Sequence, residues 1–155
     1  MAKVRKAAAQ DIESIDQIYV LARQFMSENG NCTQWTNGYP GKSDIIADIN
    51  EDVLFVTEDM KAVMALIGGD DPTYLVIDGA WHDPSPYMTI HRIASIEKGH
   101  GQAMIDYAKS CCSHLRIDTH RNNLPMRRLL EKNGFVCCGT IESLHGPRMA
   151  FEWSR

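Results

Sequence analysis

The chain has 155 residues and carries 16 basic against 20 acidic side chains, which gives a net charge of −4 with histidines neutral. This length predicts a single globular domain over residues 1–155 and is too short for a barrel of eight strand–helix units. Its 44% hydrophobic and 23% charged residues are typical of a soluble domain and exclude disordered and collagen-like proteins. No run of like charges forms a basic stripe, so we expect no nucleic-acid partner.

The sequence also indicates where the protein works. No apolar stretch approaches the roughly 18 to 20 residues of a membrane span, and Met1–Lys6 lacks the apolar region of a secretory signal. We therefore expect a cytoplasmic protein with no membrane partner. The cysteines are odd in number and lack the spacing of a zinc cluster, so we expect buried, reduced thiols and no metal; they are Cys32, Cys111, Cys112, Cys137 and Cys138.

Apolar spacing and turn residues predict an alternation of strands and helices in the first half of the chain. In chain order the pattern predicts a strand at 4–7, a helix with apolar residues recurring from 12 to 26, and a polar loop at 28–43. It then predicts a short helix at 43–50 capped by Ser43, strands at 53–57 and 62–67 joined by a tight turn at 58–61, and an edge strand at 73–78.

The second half continues the alternation. The pattern predicts a strand at 87–95, a helix at 99–112, a strand at 115–118, a helix that Pro125 opens and Gly134 closes, and strands at 135–141 and 148–153. The element order predicts a mixed α/β sheet with both hairpins and crossover helices.

The clearest chemical signal is the glycine turn Gly99-His100-Gly101 between a strand and a helix. Glycines let the backbone approach a ligand closely, and the free amides at a helix start bind anions, so the turn suits a phosphate or pyrophosphate. It lacks the third glycine of the dinucleotide fingerprint and the Gly-Lys-Ser/Thr of a P-loop.

The motifs together resemble the GNAT superfamily of acetyltransferases over nearly the whole chain. The resemblance rests on Ile90-His91-Arg92-Ile93-Ala94, Lys98-Gly99-His100-Gly101, Leu115-Arg116-Ile117-Asp118-Thr119-His120, Asn123 and Leu130-Glu131-Lys132-Asn133-Gly134-Phe135. It implies an α+β fold with a largely antiparallel central sheet of about six or seven strands and helices on both faces. It also implies acetyl transfer from acetyl-CoA to a primary amine of a small molecule, amino acid or peptide N-terminus, by direct attack in a ternary complex.

The resemblance assigns residues to the co-substrate. It implies that the backbone of Ile93, Ala94 and Ser95 pairs with the pantetheine arm, that the amides of Gly99, His100, Gly101, Gln102 and Ala103 hold the pyrophosphate, that Lys98 adds positive charge and that Asn123 contacts the cofactor. Two positions depart from the family pattern. Ile96 replaces an Arg or Gln, and Leu130 replaces the tyrosine that many members use to protonate the departing thiolate.

The acceptor side offers less specific candidates. A general base is needed to deprotonate the amine, and His120, at the end of a strand, is the first choice because imidazole titrates near neutral pH. His91 and Glu28 are the other candidate bases. The aromatic residues of the two long loops are predicted to form the wall of the acceptor site, namely Trp35, Tyr39, Trp81 and Tyr87.

Two other hypotheses stay open. Leu130 in place of the family tyrosine is compatible with a non-catalytic acyl-CoA-binding or sensing module, and the glycine turn is compatible with a plain nucleotide-binding domain. A homodimer is also predicted, because a C-terminal edge strand carrying Met149, Phe151 and Trp153 could extend the sheet across two copies.

Overall fold

The computed structural model describes residues 2–155 and contains one eight-stranded sheet with four helices. In chain order the elements are β1 (Val4–Lys6), α1 (Ile12–Glu28), α2 (Lys42–Asn50), β2 (Leu54–Thr57), β3 (Ala62–Gly68), β4 (Asp78–Gly79), β5 (Met88–Ser95), α3 (His100–Cys111), β6 (His114–Thr119), α4 (Leu124–Lys132), β7 (Val136–Ser143) and β8 (Gly146–Ser154). Short 3₁₀ turns cover Ala9–Asp11 and Pro72–Tyr74. The predicted order of elements is confirmed, and the sheet has eight strands rather than six or seven.

The strand order across the sheet is β1-β2-β3-β5-β6-β8-β7-β4. Every neighbouring pair is antiparallel except β5 and β6, which are parallel because α3 crosses between them. β8 lies between β6 and β7, so the C-terminal strand is not an edge and cannot extend the sheet in the way predicted above. The homodimer itself stays a prediction.

Helices cover both faces of the sheet, as expected from the resemblance. One face packs α3 and α4 against the sheet through an apolar cluster that includes Met104, Ile105, Ala108, Leu130 and Phe151. The opposite face packs α1 and α2 through a second cluster that includes Ile15, Ile18, Tyr19, Ile45 and Val63. No helix within residues 2–155 is long and apolar enough to cross a membrane.

A bulge in β5 opens the middle of the sheet. The register between β3 and β5 shifts between Val63 and Ala65, and Arg92 adopts φ +49°, in the left-handed region. The unbroken alternation predicted along 87–95 is therefore wrong at this point. β6 pairs with β5 only as far as Ile90, so beyond that residue the two strands part and the β6-facing side of β5 has no strand beside it.

Two contacts hold the bulge. The Arg92 guanidinium donates to both carboxylate oxygens of Asp48 in α2, at 2.7 and 2.9 Å. The Tyr19 hydroxyl in α1 donates to the Arg92 carbonyl at 2.7 Å. The two helices on this face therefore fix the conformation of the strand that the site depends on.

Three local predictions are wrong. The cap of α2 is Gly41, whose amide donates to Asp44 at 2.8 Å, and not Ser43. Within the segment 73–78 only Asp78 belongs to a strand. Asp71 caps a 3₁₀ turn at the start of this segment, and only Asp78–Gly79 pairs with β7. The cysteines are all free thiols, but only Cys138 is buried, while Cys32, Cys111 and Cys137 are exposed.

Candidate active site

A large cavity, here called the donor groove, lies where β5, α1, α3 and α4 meet and has a volume of about 790 Å³. It runs along the side of β5 that β6 leaves free. Eight of the ten residues predicted to bind the co-substrate line it, namely Ile93, Ala94, Ser95, Lys98, Gly99, Gly101, Gln102 and Asn123. The groove also contains apolar residues of α1 and α4 that the sequence did not single out, including Phe25, Met26, Met126 and Leu129.

The two remaining predicted residues do not line the groove. Ala103 is a core residue that is only 2% exposed, and its amide donates to the Gly99 carbonyl at 3.2 Å. The His100 imidazole bonds to Asp59 through Nε2 at 2.7 Å. The Asp59 carboxylate raises the pKa of His100. The His100 side chain is therefore engaged outside the groove.

The glycine turn at the end of the groove has the features of an anion site. Gly99 caps α3 with φ +88°, a conformation that favours glycine. Within residues 2–155 no acceptor bonds to the amides of Gly101 and Gln102 in the first turn of α3. A Cβ on Gly101 would lie 3.2 Å from Leu129 Cδ2, so a side chain there would crowd the floor of the turn. Lys98 and Lys132 add two positive charges to the lining.

A second, smaller cavity, here called the acceptor cavity, has a volume of about 200 Å³ and is more polar. Its lining comes from the middle of β5, the end of β6, the start of α4, the loops at 29–41 and 69–77, and the β7–β8 hairpin around 143–148. It shares Ile93, Asn123 and Met126 with the donor groove. The two cavities therefore meet beside the β5 bulge.

The acceptor cavity contains a histidine–carboxylate pair. His91 Nε2 lies 2.6 Å from Asp71 Oδ2, and the other oxygen of Asp71 accepts from the Thr73 amide and hydroxyl at 2.8 and 2.7 Å. Burial alone would raise the pKa of Asp71, but the bonds from His91 and Thr73 outweigh it and lower the pKa to about 2. Asp71 is therefore ionised at neutral pH, and His91 Nε2 must carry the proton that it shares with this carboxylate. Within residues 2–155 no group bonds to the other ring nitrogen, Nδ1.

The structure places the other two candidate bases outside both cavities. The Asn122 amide donates to His120 Nδ1 at 3.0 Å, and His120 Nε2 lies 3.1 Å from the Thr33 hydroxyl. Burial and the nearby Arg148 lower the pKa of His120. Glu28 is exposed at the end of α1, where it accepts from Gln24 at 3.1 Å.

Two of the four predicted aromatic residues line the acceptor cavity. Trp35 packs edge-on against Tyr19 with ring centroids 5.6 Å apart, and Tyr39 packs against His145 at 4.5 Å. Trp81 and Tyr87 instead pack on the Arg116 guanidinium, each with its ring centroid 4.1 Å away. Tyr87 still contributes indirectly to the site, because its hydroxyl accepts from the amide of Asp71 at 2.8 Å.

Several residues of the site were not among the site residues predicted from the sequence. Asp118 lies in the acceptor cavity and accepts from the Tyr74 hydroxyl at 2.6 Å, and burial raises its pKa. Gln34 accepts from the side-chain amide of Asn123 at 3.1 Å and so ties the 29–41 loop to the start of α4. Asp71 has a local signal, because the Asp-Pro-Thr sequence is typical of a capped turn, but nothing in that signal places it beside His91.

The position of the family tyrosine is closed to both cavities. Leu130 has 0% exposure and packs in the core beneath α4. Asn123, the other residue implied by the resemblance near this point, caps α4 by accepting from the Met126 amide at 3.3 Å. Neither residue supplies a hydroxyl at the junction of the cavities.

Comparisons with known proteins identify the fold. No family model and no curated protein sequence matches the chain. A solved structure of a GNAT-family acetyltransferase from Streptococcus agalactiae 2603 is 30% identical, with a TM-score of 0.86, and the match covers 99% of this chain and 95% of that one. A GNAT-family acetyltransferase from Listeria monocytogenes 4b F2365 is 20% identical with a TM-score of 0.70, over 99% and 95% of the two chains.

A more distant match is the NatC complex bound to Gag peptide and CoA, at 12% identity and a TM-score of 0.61, covering 99% of this chain and 98% of that one. The distant matches share the fold alone, whereas the Streptococcus agalactiae protein is similar in both sequence and structure over nearly the full length of each chain. With the bulged β5, the glycine turn and the two meeting cavities in place, this chain belongs to the GNAT family of acetyltransferases.

Proposed function

We propose that the protein transfers the acetyl group of acetyl-CoA to a primary amine by direct attack in a ternary complex. The observation that carries this proposal is the meeting of the donor groove with the acceptor cavity at Ile93, Asn123 and Met126. A thioester in the groove and an amine in the cavity would approach each other at this junction. Holding two reactants in contact in this way can supply much of the rate enhancement.

The donor groove fits the chemistry of acetyl-CoA. The pantetheine arm carries amides, and the side of β5 from Arg92 to Ser95 that β6 leaves free offers backbone groups to pair with them. The amides of Gly101 and Gln102, together with Lys98 and Lys132, would hold the pyrophosphate. The CoA bound to the structurally similar NatC complex supports this choice of donor.

The acceptor cavity supplies a base. His91 Nδ1 would accept a proton from the acceptor amine, and Asp71 would stabilise the imidazolium that forms. The amine nitrogen then attacks the thioester carbon, the new C–N bond forms, the C–S bond breaks as the thiolate leaves, and the second amine proton passes to the thiolate or to solvent. A thiol with a pKa of about 8.5 is a tolerable leaving group without an acid, so Leu130 in place of the tyrosine still permits the reaction.

Calorimetric titration tests the donor half of the proposal. We expect acetyl-CoA and CoA to bind in the micromolar range and ADP to bind more weakly, because ADP lacks the pantetheine arm. Gly99→Ala should weaken acetyl-CoA binding, since it forces an L side chain into φ +88° at the turn. Gly69→Ala is the matched control, because Gly69 has φ +85° and equal space but lies at the end of β3, away from the groove.

Release of free CoA in the presence of amines tests the catalytic half. Steady release that depends on an amine is expected from the enzyme. Tight acetyl-CoA binding with no release under any amine would instead favour the non-catalytic acyl-CoA-binding module, for which Leu130 is the supporting observation. Failure of the folded protein to bind acetyl-CoA would overturn the proposal as a whole.

A further inference from the structure

Arg148 in β8 places a guanidinium in the wall of the acceptor cavity. The residue is only 4% exposed. Its Nη2 donates to the Gln34 carbonyl at 2.7 Å, and its Nη1 lies 3.1 Å from the carbonyls of His145 and Pro147. Every one of these partners is a neutral backbone group.

Arg148 differs in this respect from the other buried arginine, Arg116, and from the half-buried Arg92. Arg92 is paired with Asp48, and Arg116 with Glu152. Within residues 2–155 no carboxylate lies within 4 Å of the Arg148 guanidinium. Buried charges in proteins are normally paired directly, whereas the Asp118 carboxylate of the same cavity acts on Arg148 only from beyond 4 Å.

The N–H groups of Arg148 that have no partner are arranged in a defined geometry. A guanidinium has five N–H groups, and the three carbonyl contacts leave Nε and one N–H of Nη2 without a partner in the described chain. Nε and Nη2 form one edge of the guanidinium plane. That edge binds a carboxylate through two parallel hydrogen bonds.

The sheet separates this cation from the proposed base. His91 lies on β5, Asp118 on β6 and Arg148 on β8, which are three consecutive strands. Neighbouring strands lie about 4.8 Å apart and β5 leaves β6 beyond Ile90, so the backbones of His91 and Arg148 are at least about 10 Å apart, and both side chains line one cavity. The cavity therefore has a histidine paired with the Asp71 carboxylate on one side and, on the other, a guanidinium that makes no direct ion pair.

We propose that the acceptor is a small amino acid-like molecule whose amine faces His91 and whose carboxylate is bound by the Nε and Nη2 edge of Arg148. This proposal rests on the acetyltransferase function and names its acceptor class. The volume of about 200 Å³ lies below the roughly 300 Å³ at which pockets for larger ligands begin, which favours a small acceptor. A diamine would place a second cation against Arg148, and a peptide N-terminus would place a neutral amide there.

The test compares free amino acids with their own carboxamides. Glycine, L-serine, L-methionine, L-phenylalanine and L-glutamate are each assayed beside the matching α-carboxamide, with putrescine as the diamine, by measuring kcat/KM from CoA release. We expect the free acid to be preferred by at least about tenfold, the equivalent of one guanidinium–carboxylate contact of about 1.4 kcal/mol. Within each pair, the amine of the carboxamide is deprotonated more easily than the amine of the free acid. This difference by itself favours the carboxamide, so it cannot cause the expected preference for the free acid.

Arg148→Met should remove the preference and bring acid and amide to similar kcat/KM, mainly by raising KM for the acid. Arg148→Lys should retain part of the preference, because it keeps the charge but loses the paired geometry. Titration of each amino acid into the protein saturated with CoA gives a binding readout that does not need turnover. Acetyl-CoA affinity and thermal unfolding of both variants show whether the fold survives.

The outcomes separate this proposal from the function beneath it. Equal use of acids and amides by the wild type, a preference for putrescine, or an Arg148→Met variant that weakens acid and amide alike would overturn the carboxylate site. Binding of acetyl-CoA without acetylation of any amino acid in the panel would overturn the acceptor class and leave the donor assignment standing. Absence of acetyl-CoA binding would instead overturn the proposed function.

Discussion

His91 acquires its chemistry from a residue twenty positions away in the chain. Asp71 reaches it because the 3₁₀ turn at Pro72–Tyr74 folds back over the end of β5, and Thr73 and Tyr87 then fix the orientation of the carboxylate and its backbone. The ionised carboxylate holds the proton on Nε2 and leaves Nδ1 as the acceptor. A histidine oriented in this way is prepared for proton transfer before any substrate binds.

Substitution of the two candidate histidines distinguishes their roles. We expect His91→Gln to lower kcat/KM by about 10² to 10⁴, the usual contribution of a general base, while acetyl-CoA affinity is unchanged. His120→Gln is the matched control and should stay close to wild type, because His120 lines neither cavity and both its ring nitrogens are engaged by the chain. A larger loss in His120→Gln than in His91→Gln would contradict this assignment.

The ionisation of Asp71 predicts a pH-dependent stability. Its folded pKa of about 2 lies below its ordinary value of 3.8, so its contribution to the free energy of unfolding is complete above pH 3.8 and is lost as the pH falls through 2. Asp71→Asn should therefore be less stable than wild type at pH 6, by about 1 kcal/mol once solvent screening is included. The difference should shrink between pH 4 and pH 2.

Urea unfolding at a series of pH values measures this difference. Asp70→Asn is the matched control, because Asp70 is the exposed neighbour in the same loop. It should show no comparable pH dependence. A constant difference between Asp71→Asn and wild type down to pH 2 would rule out ionisation of Asp71 as the cause.

At the scale of elements, the short helix α2 stabilises the bulge in β5. Its Asp48 carboxylate is bound in two bonds to Arg92 and keeps the strained residue of the β5 bulge in place. Because the bulge is where β5 leaves β6, a helix on the opposite face from the glycine turn helps to open the donor groove. The site therefore depends on packing across both faces of the sheet.

Asp48→Asn should destabilise the protein by about 3 kcal/mol, because it leaves the largely buried Arg92 guanidinium without its counter-charge. It should also weaken acetyl-CoA binding, since the bulge is less well held. Glu13→Gln is the control, because it breaks the exposed Lys42–Glu13 ion pair, which joins α2 to α1. Chemical denaturation and calorimetry should show little change in this control; an equal loss in both variants would contradict the proposed role of Asp48.

Local sequence rules predicted most elements but not their exceptions. Apolar periodicity, Pro125 and Gly134 predicted the helices and strands, and Gly134 does adopt φ +82° after α4. The rule of alternation failed at Arg92, where a distant aspartate and a tyrosine impose a bulge that residues 87–95 do not encode locally. It also failed at 73–78, where a capped turn replaces a strand.

At the scale of the whole molecule, the family resemblance predicted the sheet and the donor groove, because both depend on backbone geometry that recurs with the motif order. The acceptor cavity was only half predicted. Trp35, Tyr39 and His91 were named, whereas Asp71, Gln34 and Arg148 were not, since they come from two separate loops and from β8, and their meeting is a product of the tertiary fold. The sequence did contain a signal for Arg148. Met149, Phe151 and Trp153 alternate on one face of β8, which places Arg148 and Glu152 on the other face.

The two cavities are built from different parts of the chain, and this difference bears on how such a protein can diverge. The donor groove relies on a strand edge, a glycine turn and helix amides, which few side-chain substitutions alter. The acceptor cavity relies on side chains, and part of its wall comes from the loops at 29–41 and 69–77, where sequence change is well tolerated. Under the proposed function, mutation can thus change the acceptor while the binding of the acyl donor is retained, and related chains with equal folds need not share a substrate.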